Sequence, residues 1–298
     1  MDTVASIIVT YNPDTHILSQ LLDSIREQVS FTIVIDNSEC SIVQQNLAQQ
    51  LPEDCFLISQ GFNSGIAAAF NAGVLKAQEL SASHIILFDQ DSLPEPNMVN
   101  CLLAAMSQES NNGHLVAAVG PNYIDIKGQH ASPFVRMQGM RLCRIECTET
   151  ENVRVDHLIS SGSLISMQAI ADVGLMEEKL FIDYVDTEWC LRAIYKGYQI
   201  FGVGSARMKH NLGNDHACLF GKVIPVHSPL RYYYLIRNGI WLLKQSWISN
   251  AWKIMDLRRL ILIFITYSFL VGRRFSNCKM LSMGVLHACL GRMGRYGE

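Results

Sequence analysis

His84-Ile85-Ile86-Leu87-Phe88-Asp89-Gln90-Asp91-Ser92 is the stretch that decides the fold of this 298-residue chain. Its apolar run is typical of a strand that is buried on both faces of a parallel sheet. Two carboxylates follow the run directly, one residue apart. Carboxylate oxygens bind hard divalent cations, which in turn bridge phosphate oxygens. The stretch therefore predicts a central strand that ends at a site for a metal and a diphosphate.

Strand-like runs alternate with helix-length segments through the first 120 residues. Leu18, Leu21, Leu22 and Ile25 recur with helical periodicity between two of these runs, and this alternating order predicts a parallel α/β sheet. Ligands bind beyond the carboxyl ends of the strands in such sheets. The predicted strands are Ala5–Thr10, Phe31–Asp36, Cys55–Ser59, Ser83–Asp89 and Leu115–Gly120.

The second half of the chain is less regular. Periodicity lapses between Pro121 and Val155, which predicts an irregular excursion beside the site. We expect order to return at Val155–Met167, followed by a helix near Asp186 and a short strand at Gln199–Val203. The segment 211–228 combines glycine and proline with little pattern, which favours a mobile loop or lid.

Composition indicates a folded intracellular protein. Hydrophobic residues make up 49% of the chain and charged residues 17%, which excludes a disordered protein. The amino terminus lacks the basic region of a secretory signal, so we expect the protein to begin inside the cell. Its nine cysteines contain no C-x-x-C pair, which favours reduced thiols over a disulfide framework or a zinc site.

The carboxyl-terminal segment differs in charge from the rest. Residues 1–230 carry 13 Lys and Arg against 25 Asp and Glu, whereas residues 231–298 carry 11 against 2. A basic segment that is also apolar favours an anionic membrane surface over nucleic acid as its partner. The apolar run Leu260–Val271 is 12 residues long, and spanning a membrane takes about 20.

We therefore expect the segment to lie in the membrane interface. Its arginine pairs at 258–259 and 273–274 are expected to meet lipid headgroups, and Trp241, Trp247 and Trp252 to anchor it. The alternative is a helical hairpin packed on the catalytic domain or on a second subunit of a homo-oligomer.

Several motifs, taken in order, resemble the family 2 glycosyltransferases. The form Phe88–Ser92, together with Arg237-Asn238, is similar to the bacterial dTDP-rhamnosyltransferases of polysaccharide assembly. The motifs are Ile7–Asn12, Val34–Ser38, Asn63–Gly65 with Asn71–Gly73, Phe88–Ser92 and Asp183–Arg192.

The resemblance implies an α/β GT-A fold, a Rossmann-like, mostly parallel sheet flanked by helices. It implies a catalytic domain at residues 1–230, with a nucleotide-sugar half over 1–120 and an acceptor half over 121–230. Residues 231–298 then form an amphipathic helical extension.

The same resemblance implies a donor site. Asp36 is expected to hydrogen-bond the base or ribose beside Thr10, Tyr11 and Asn12, and its alternative role is to cap the next turn. Asn63 and Gly65 precede a predicted helix at residues 66–80, so backbone amides at its start face a phosphate. A plain helix cap explains this second pattern as well.

A divalent metal, Mg²⁺ or Mn²⁺, is the implied cofactor. Asp89 is expected to contact the ribose and the metal, and Asp91 to bind the metal. Gln90 adds no third negative charge, so the remaining ligands are expected to be diphosphate oxygens and water. His210 matches the position where relatives place a histidine near the metal, and a purely structural histidine is the alternative.

Asp186 is the expected general base on the acceptor side, where it takes the hydroxyl proton during inverting transfer. Relatives show Glu-Asp where this chain has Val185-Asp186. We expect Glu188 to share a helical face with Asp186 and to bind the acceptor, although a charged helix surface is the simpler explanation. Ser161 and Gly162 are expected to border the acceptor pocket, unless they form only a tight turn.

Together these features predict an inverting glycosyltransferase. The resemblance implies transfer of L-rhamnose from dTDP-L-rhamnose to a lipid-linked oligosaccharide of a cell-surface polysaccharide such as O-antigen, at the cytoplasmic face of the membrane. A UDP-sugar donor is one alternative, and a non-catalytic scaffold subunit is another. The presence of Asp89, Asp91 and Asp186 together disfavours the scaffold. A nucleotidyltransferase is disfavoured as well, because it should carry a basic, glycine-rich loop after its first strand, and Tyr11-Asn12-Pro13-Asp14 is not such a loop.

Overall fold

A mixed nine-stranded sheet forms the centre of the computed structural model, which describes residues 2–125, 132–139, 141–210, 215–219 and 222–297. The strands are β1 (Val4–Thr10), β2 (Phe31–Asp36), β3 (Cys55–Ser59), β4 (His84–Asp89), β5 (Ser92–Pro94), β6 (Val116–Asp125), β7 (Phe134–Gln138), β8 (Arg141–Ile145), β9 (Asn152–Val155), β10 (Leu164–Ser166), β11 (Gln199–His210), β12 (Asp215–Leu219) and β13 (Lys222–Val226). Their order in the sheet is β3-β2-β1-β4-β10-β6-β11-β5, and β9 pairs with β11.

Helices cover both faces of this sheet. β1 lies parallel between β2 and β4, and β6 is parallel to β11. Along β1, Ile7 packs into one apolar cluster and the next residue, Ile8, into the other, as the two-residue period of a strand requires. The helices are α1 (Thr15–Ile25), α2 (Ser41–Gln50), α3 (Ile66–Glu79), α4 (Met98–Asn111), α5 (Met167–Val173), α6 (Val185–Tyr195), α7 (Pro229–Leu243), α8 (Asn250–Ile265) and α9 (Arg274–Leu290).

The predicted first half is confirmed. Each of its five strands is present, with β6 continuing to Asp125. Asp14 caps α1, because its carboxylate accepts hydrogen bonds from the backbone amides of His16 and Ile17 at 2.9 and 3.3 Å. The apolar positions that predicted this helix face the core of the sheet. They are Leu18, Leu21, Leu22 and Ile25.

The second half contains more strands than the sequence indicated. β7 pairs with β8 where an irregular excursion was expected. β12 pairs with β13 within the segment for which a loop was expected, so its described parts form an antiparallel hairpin. β11 runs on past Val203 through an irregularity in register before Arg207. These strands lack a clear alternation of apolar and polar residues, which is the pattern on which the prediction relied.

The carboxyl-terminal helices pack on the catalytic domain. Buried residues of α7 and α8, including Tyr232, Leu235 and Trp252, belong to the same apolar cluster as Ile7 of the central sheet. The structure thus favours the packed hairpin over a separate extension. No helix within the described ranges is long and apolar enough to cross a membrane.

Two buried polar residues of α7 join this helix to the loop before α6. The side-chain amide of Asn238 donates to the carbonyls of Leu180, Ile182 and Asp183 at 2.9, 2.7 and 2.9 Å. Arg237 donates to the carbonyl of Leu180 at 3.0 Å and to the Asn238 side-chain oxygen at 3.0 Å. Neither side chain is exposed to solvent. We call this pair the α7 clamp.

The α7 clamp gives a testable prediction. Asn238→Ala is expected to lower the free energy of unfolding by about 3 kcal/mol, because it leaves buried carbonyl groups without donors. Chemical denaturation measures the change. The matched control is Asn250→Ala on the exposed side of α8, expected to change stability by less than about 0.5 kcal/mol. Equal effects of the two substitutions would contradict a structural role for the clamp.

Candidate active site

The carboxyl ends of β1 and β2 form a buried polar site. One carboxylate oxygen of Asp36 accepts hydrogen bonds from the Thr10 hydroxyl at 3.1 Å, the Ser38 amide at 3.1 Å and the Ser38 hydroxyl at 2.6 Å. Its second oxygen, Oδ2, is buried and has no hydrogen-bond partner among the described residues. Buried polar atoms are rarely left unpaired, so this oxygen is an acceptor available to a ligand.

Tyr11 and Asn12 directly follow the carboxyl end of β1, next to this site. The Asn12 amide donates to the Ser38 hydroxyl at 2.8 Å, and Asn12 has a positive φ of 46°. The Tyr11 amide donates to Gln90 Oε1 at 2.8 Å, while the Tyr11 side chain is exposed. The sequence indicated no role for Gln90 beyond the absence of a third negative charge. In the structure its side chain connects the end of β1 to the acidic residues that follow β4.

Asn63 and Gly65 shape the start of α3. Asn63 accepts a hydrogen bond from the Gly65 amide at 3.0 Å, and the Ile66 amide donates to the Phe181 carbonyl at 2.7 Å. Gly65 has a φ of 85°, and a Cβ there would lie 2.6 Å from the Phe181 oxygen. The structure thus gives these two amides protein partners, and their contact with a phosphate stays a prediction.

Ser161 and Gly162 hold the end of β4. The Asp89 amide donates to Ser161 Oγ at 3.3 Å, and the Ser161 hydroxyl also contacts that of Ser92. The Gly162 amide donates to the Leu87 carbonyl at 2.7 Å. Both residues therefore position the strand that carries the acidic pair, and Ser161 is buried.

Asp89 and Asp91 are half-buried at the carboxyl end of β4. The backbone of His210 pairs with that of Ser92, whereas the His210 side chain lies outside the described part of the structure. No group of three or more His, Cys, Asp or Glu side chains in the described ranges is arranged to hold a metal. Two carboxylates supply the hard oxygen ligands that suit Mg²⁺ or Mn²⁺ when a bound diphosphate and water complete the set.

Asp186 is the second residue of α6. Its Oδ1 accepts hydrogen bonds from the Thr187 amide at 2.7 Å and the Thr187 hydroxyl at 3.3 Å. It lines a small cleft with Leu87 of β4 and with Ser160. The fold therefore brings Asp186 beside the strand that ends in Asp89, although the two lie far apart in sequence.

The loop before α6 contains strained backbone. Phe181, Asp183 and Tyr184 have φ values of 66°, 62° and 66°, a left-handed conformation that side chains other than glycine rarely adopt. The α7 clamp holds the carbonyls of this loop. Strain of this kind persists where the surrounding structure enforces it, and it concentrates at functional sites.

Asp183 and Tyr184 were quoted in the sequence motif without a role. Asp183 forms an ion pair with Arg231 at 3.2 Å, and its Oδ2 is buried without a partner among the described residues. Burial raises the pKa of the Asp183 carboxyl, and Arg231 opposes the rise. Tyr184 donates to Asp256 of α8 at 2.7 Å. The sequence signal that could have pointed to both residues is their place within three positions of Asp186.

The expectation that Glu188 shares a face with Asp186 is wrong. Glu188 is buried and forms a two-pronged ion pair with Arg192 at 2.7 and 2.9 Å. Arg192 also donates to the carbonyls of Val173 and Leu175, each at 2.8 Å. Two residues along a helix turn the side chain by about 200°, so Glu188 joins α6 to the end of α5 instead of reaching Asp186.

These strand ends, with a carboxylate at the start of α6, define a glycosyltransferase of the GT-A fold. Residues 6–174 match the model of glycosyl transferase family 2, and the chain belongs to that family.

Two relatives match along nearly the whole chain. It is 32% identical to the dTDP-rhamnosyl transferase RfbF of Shigella flexneri over 297 residues, which cover 99% of this chain and 97% of that protein. It is 22% identical to the low-salt glycan biosynthesis hexosyltransferase Agl10 of Haloferax volcanii, over 99% of this chain and 94% of the relative.

Solved structures share the fold at lower identity. GalNAc-T7 with UDP, GalNAc and Mn²⁺ has a TM-score of 0.63 at 15% identity; the match covers 95% of this chain and 55% of that one. Residues 1–349 of S. aureus TarS in complex with UDP-GlcNAc give a TM-score of 0.58 at 14% identity, with 96% and 81% covered. These likenesses confirm the GT-A fold.

The corrected position of Glu188 leads to a prediction. Glu188→Gln is expected to lower the free energy of unfolding by about 3 kcal/mol, because it leaves Arg192 without its buried counter-charge. Denaturation measures this loss. Glu79→Gln is the control, since Glu79 forms an exposed pair with Lys76 that contributes at most about 1 kcal/mol. A stable Glu188→Gln variant with weakened acceptor binding would restore the acceptor role.

Proposed function

We propose that the protein is an inverting, metal-dependent rhamnosyltransferase. It transfers L-rhamnose from dTDP-L-rhamnose to a lipid-linked glycan acceptor in bacterial cell-surface polysaccharide biosynthesis, such as that of O-antigen. Similarity to RfbF over 99% of the chain supports the donor. The observation that carries the reaction is the carboxylate of Asp186, which lines a cleft together with Leu87 of β4, two residues before Asp89.

Donor binding uses the ends of β1 and β2. The unpaired Oδ2 of Asp36 accepts a hydrogen bond from an N–H of the base or a hydroxyl of the ribose. Thr10 and Ser38 fix the other oxygen, so the carboxylate is already oriented before the donor arrives. The exposed ring of Tyr11 lies at the same edge.

The diphosphate is placed at the end of β4. Asp89 and Asp91 would hold a divalent metal there, and the metal would supply positive charge against the negative charge that builds on the leaving diphosphate. Ser161 fixes the backbone at Asp89 and Gln90 fixes the adjoining turn, so both carboxylates project from a braced segment.

Asp186 acts as the general base. It takes the proton from the acceptor hydroxyl while the oxygen attacks C1 of the sugar and the bond from C1 to the diphosphate breaks. The transition state has the oxocarbenium character of glycoside chemistry. Hydrogen bonds from Thr187 fix one carboxylate oxygen of Asp186, and the other takes the proton.

A UDP-sugar is the alternative donor. Two solved structures with a related fold contain such nucleotides: GalNAc-T7 was solved with UDP, and TarS with UDP-GlcNAc. The greater similarity to a dTDP-rhamnosyl transferase favours the first assignment.

We also propose that the protein binds the cytoplasmic face of the membrane through α8, α9 and the turn between them. Trp252 is buried, Trp241 lies under Lys179 at 4.8 Å, and Trp247 is partly buried against the same apolar cluster. The tryptophans expected as membrane anchors therefore pack on the protein. Other apolar side chains of this region are exposed, and we call them the apolar face. They are Leu257, Ile261, Leu262, Ile265, Phe269 and Phe275.

Asp186→Asn is expected to lower kcat at least about a hundredfold, because an amide cannot take the hydroxyl proton. The Kd for dTDP should stay close to that of the wild type. Steady-state transfer assays and calorimetry measure the two quantities. Asp23→Asn on the exposed side of α1 is the control, with unchanged turnover. Wild-type turnover in Asp186→Asn would remove Asp186 from the role of base.

The donor is tested with a panel of dTDP-L-rhamnose, dTDP-glucose, UDP-glucose and UDP-GlcNAc, each with Mg²⁺, Mn²⁺ or EDTA. We expect dTDP-L-rhamnose to be consumed fastest and EDTA to suppress the reaction, as measured by release of the nucleoside diphosphate. Asp91→Ala should weaken dTDP binding more than thymidine binding, because only the diphosphate shares the metal. Preference for a UDP-sugar would overturn the rhamnose assignment, and full activity in EDTA would remove the metal.

Membrane binding is tested by point substitutions, because truncation at residue 244 would remove α8 and α9 from the core. Changing the exposed Arg258, Arg273 and Arg274 to Gln should weaken partition onto anionic vesicles by about 3 kcal/mol, roughly a hundredfold, at low salt. Sedimentation measures the bound fraction. The control changes three exposed arginines elsewhere, Arg141, Arg144 and Arg154, to Gln. Failure of the wild type to sediment with anionic vesicles would rule out this surface.

A further inference from the structure

A cavity of about 290 Å³ lies between α8 and the strands β7 and β8. Such a volume is near the lower end of the range for small-molecule sites, about 300–1,000 Å³, and suits a single sugar ring. The cavity is distinct from the donor edge, because neither Asp36 nor the acidic pair lines it. The cavity therefore shares none of these three carboxylates with the proposed donor site.

The cavity adjoins the proposed base. Thr187, whose amide and hydroxyl both bind Asp186, lines its wall. Ile159 lines both this cavity and the cleft that contains Asp186. A molecule in the cavity therefore lies one side chain away from the carboxylate that takes the acceptor proton.

The lining combines apolar surface with a few polar groups. Trp252 of α8 is largely buried but lines the cavity with part of its aromatic ring, and Arg259 and His157 supply hydrogen-bonding groups. Burial lowers the pKa of the His157 imidazole, so at neutral pH it offers one donor and one acceptor. An aromatic surface beside hydrogen-bonding groups matches a sugar, which has an apolar C–H face and a rim of hydroxyls.

The charges that line the cavity disfavour an anionic ligand, because Asp156 and Asp256 lie beside Arg259 in its wall. Arg259 forms an ion pair with Asp256 at 3.3 Å and lies 3.4 Å from the Tyr184 hydroxyl. Its charge is therefore largely compensated by the carboxylate beneath it. The Arg259 side chain is still 51% exposed, which leaves part of its guanidinium for hydroxyl groups.

We infer that this cavity binds the neutral terminal sugar ring of the acceptor, with Trp252, Arg259, His157 and Thr187 in contact with it. The inference rests on the proposed transferase function and adds the acceptor site to it. α8 forms one wall of the cavity and also carries the apolar face. A single helix thus adjoins both the sugar and the lipid of a lipid-linked acceptor.

The test measures binding of methyl glycosides to the full chain in the presence of dTDP, by saturation-transfer NMR. The probes are the methyl glycosides of glucose, galactose, N-acetylglucosamine and rhamnose, which lack a lipid and so do not report on the apolar face. Leu142 lines the cavity from β8 and is 44% exposed, so Leu142→Trp fills the cavity without disturbing the core. Arg141→Trp places the same side chain on the opposite face of β8.

We expect the wild type and Arg141→Trp to bind at least one probe, and Leu142→Trp to lose the signal. Arg259→Gln should weaken binding about tenfold, the loss typical of a hydrogen bond from a charged donor. Thermal melting of each variant checks that it is folded. Undiminished binding by folded Leu142→Trp, or binding of no probe by the wild type, would overturn the inference.

Calorimetry with dTDP on the same samples separates the two proposals. Absence of dTDP binding by the wild type counts against the transferase function itself. Tight dTDP binding together with glycoside binding that ignores Leu142→Trp counts only against the acceptor cavity.

Discussion

Asn238 donates hydrogen bonds to three backbone carbonyls of the loop before α6, and these bonds are the constraint on which the site depends. That loop holds three non-glycine residues in the left-handed region, a conformation it would not keep alone, since each such residue costs of order 1–3 kcal/mol. The buried amide offsets part of this cost because it donates to carbonyls that are sealed from water. The direction in which α6 starts, and with it the position of Asp186, follows from a side chain 52 positions further along the chain.

This dependence makes α7 part of the structure that positions Asp186. Arg231 of α7 pairs with Asp183, and Asp256 of α8 accepts from Tyr184. Gly239 gives α7 room to approach, because a Cβ there would lie 2.7 Å from Leu260 and 2.8 Å from the Tyr184 hydroxyl. A boundary drawn at residue 230 from the change in charge thus marks a change in composition, while the packing continues across it.

The sequence predicted the first half of the fold well because its strands are apolar runs that end at polar residues. Asp36, Asp89 and Asp91 all lie at the carboxyl ends where the periodicity placed them. It failed for Glu188, whose spacing from Asp186 turns it to another side of the helix, and for β12 and β13, whose residues lack apolar alternation. The cavity beside α8 could not be predicted from local patterns at all, because its walls come from β7, β8 and α8. Tertiary packing alone brings such distant segments together.

The same distinction applies to the basic tail. A count gives 11 cations between residues 231 and 298, but several of them act inside the protein. Arg237 is fully buried in the α7 clamp, Arg231 and Arg259 pair with Asp183 and Asp256, and Lys244 donates to the Ala288 carbonyl at 2.6 Å. A charge already compensated by a neighbouring carboxylate adds little to the field at a membrane. The membrane binding proposed above therefore uses fewer cations than this count, among them the exposed arginines at 258, 273 and 274 beside the apolar face. Position within the fold, more than net charge, decides which cations are exposed to a partner.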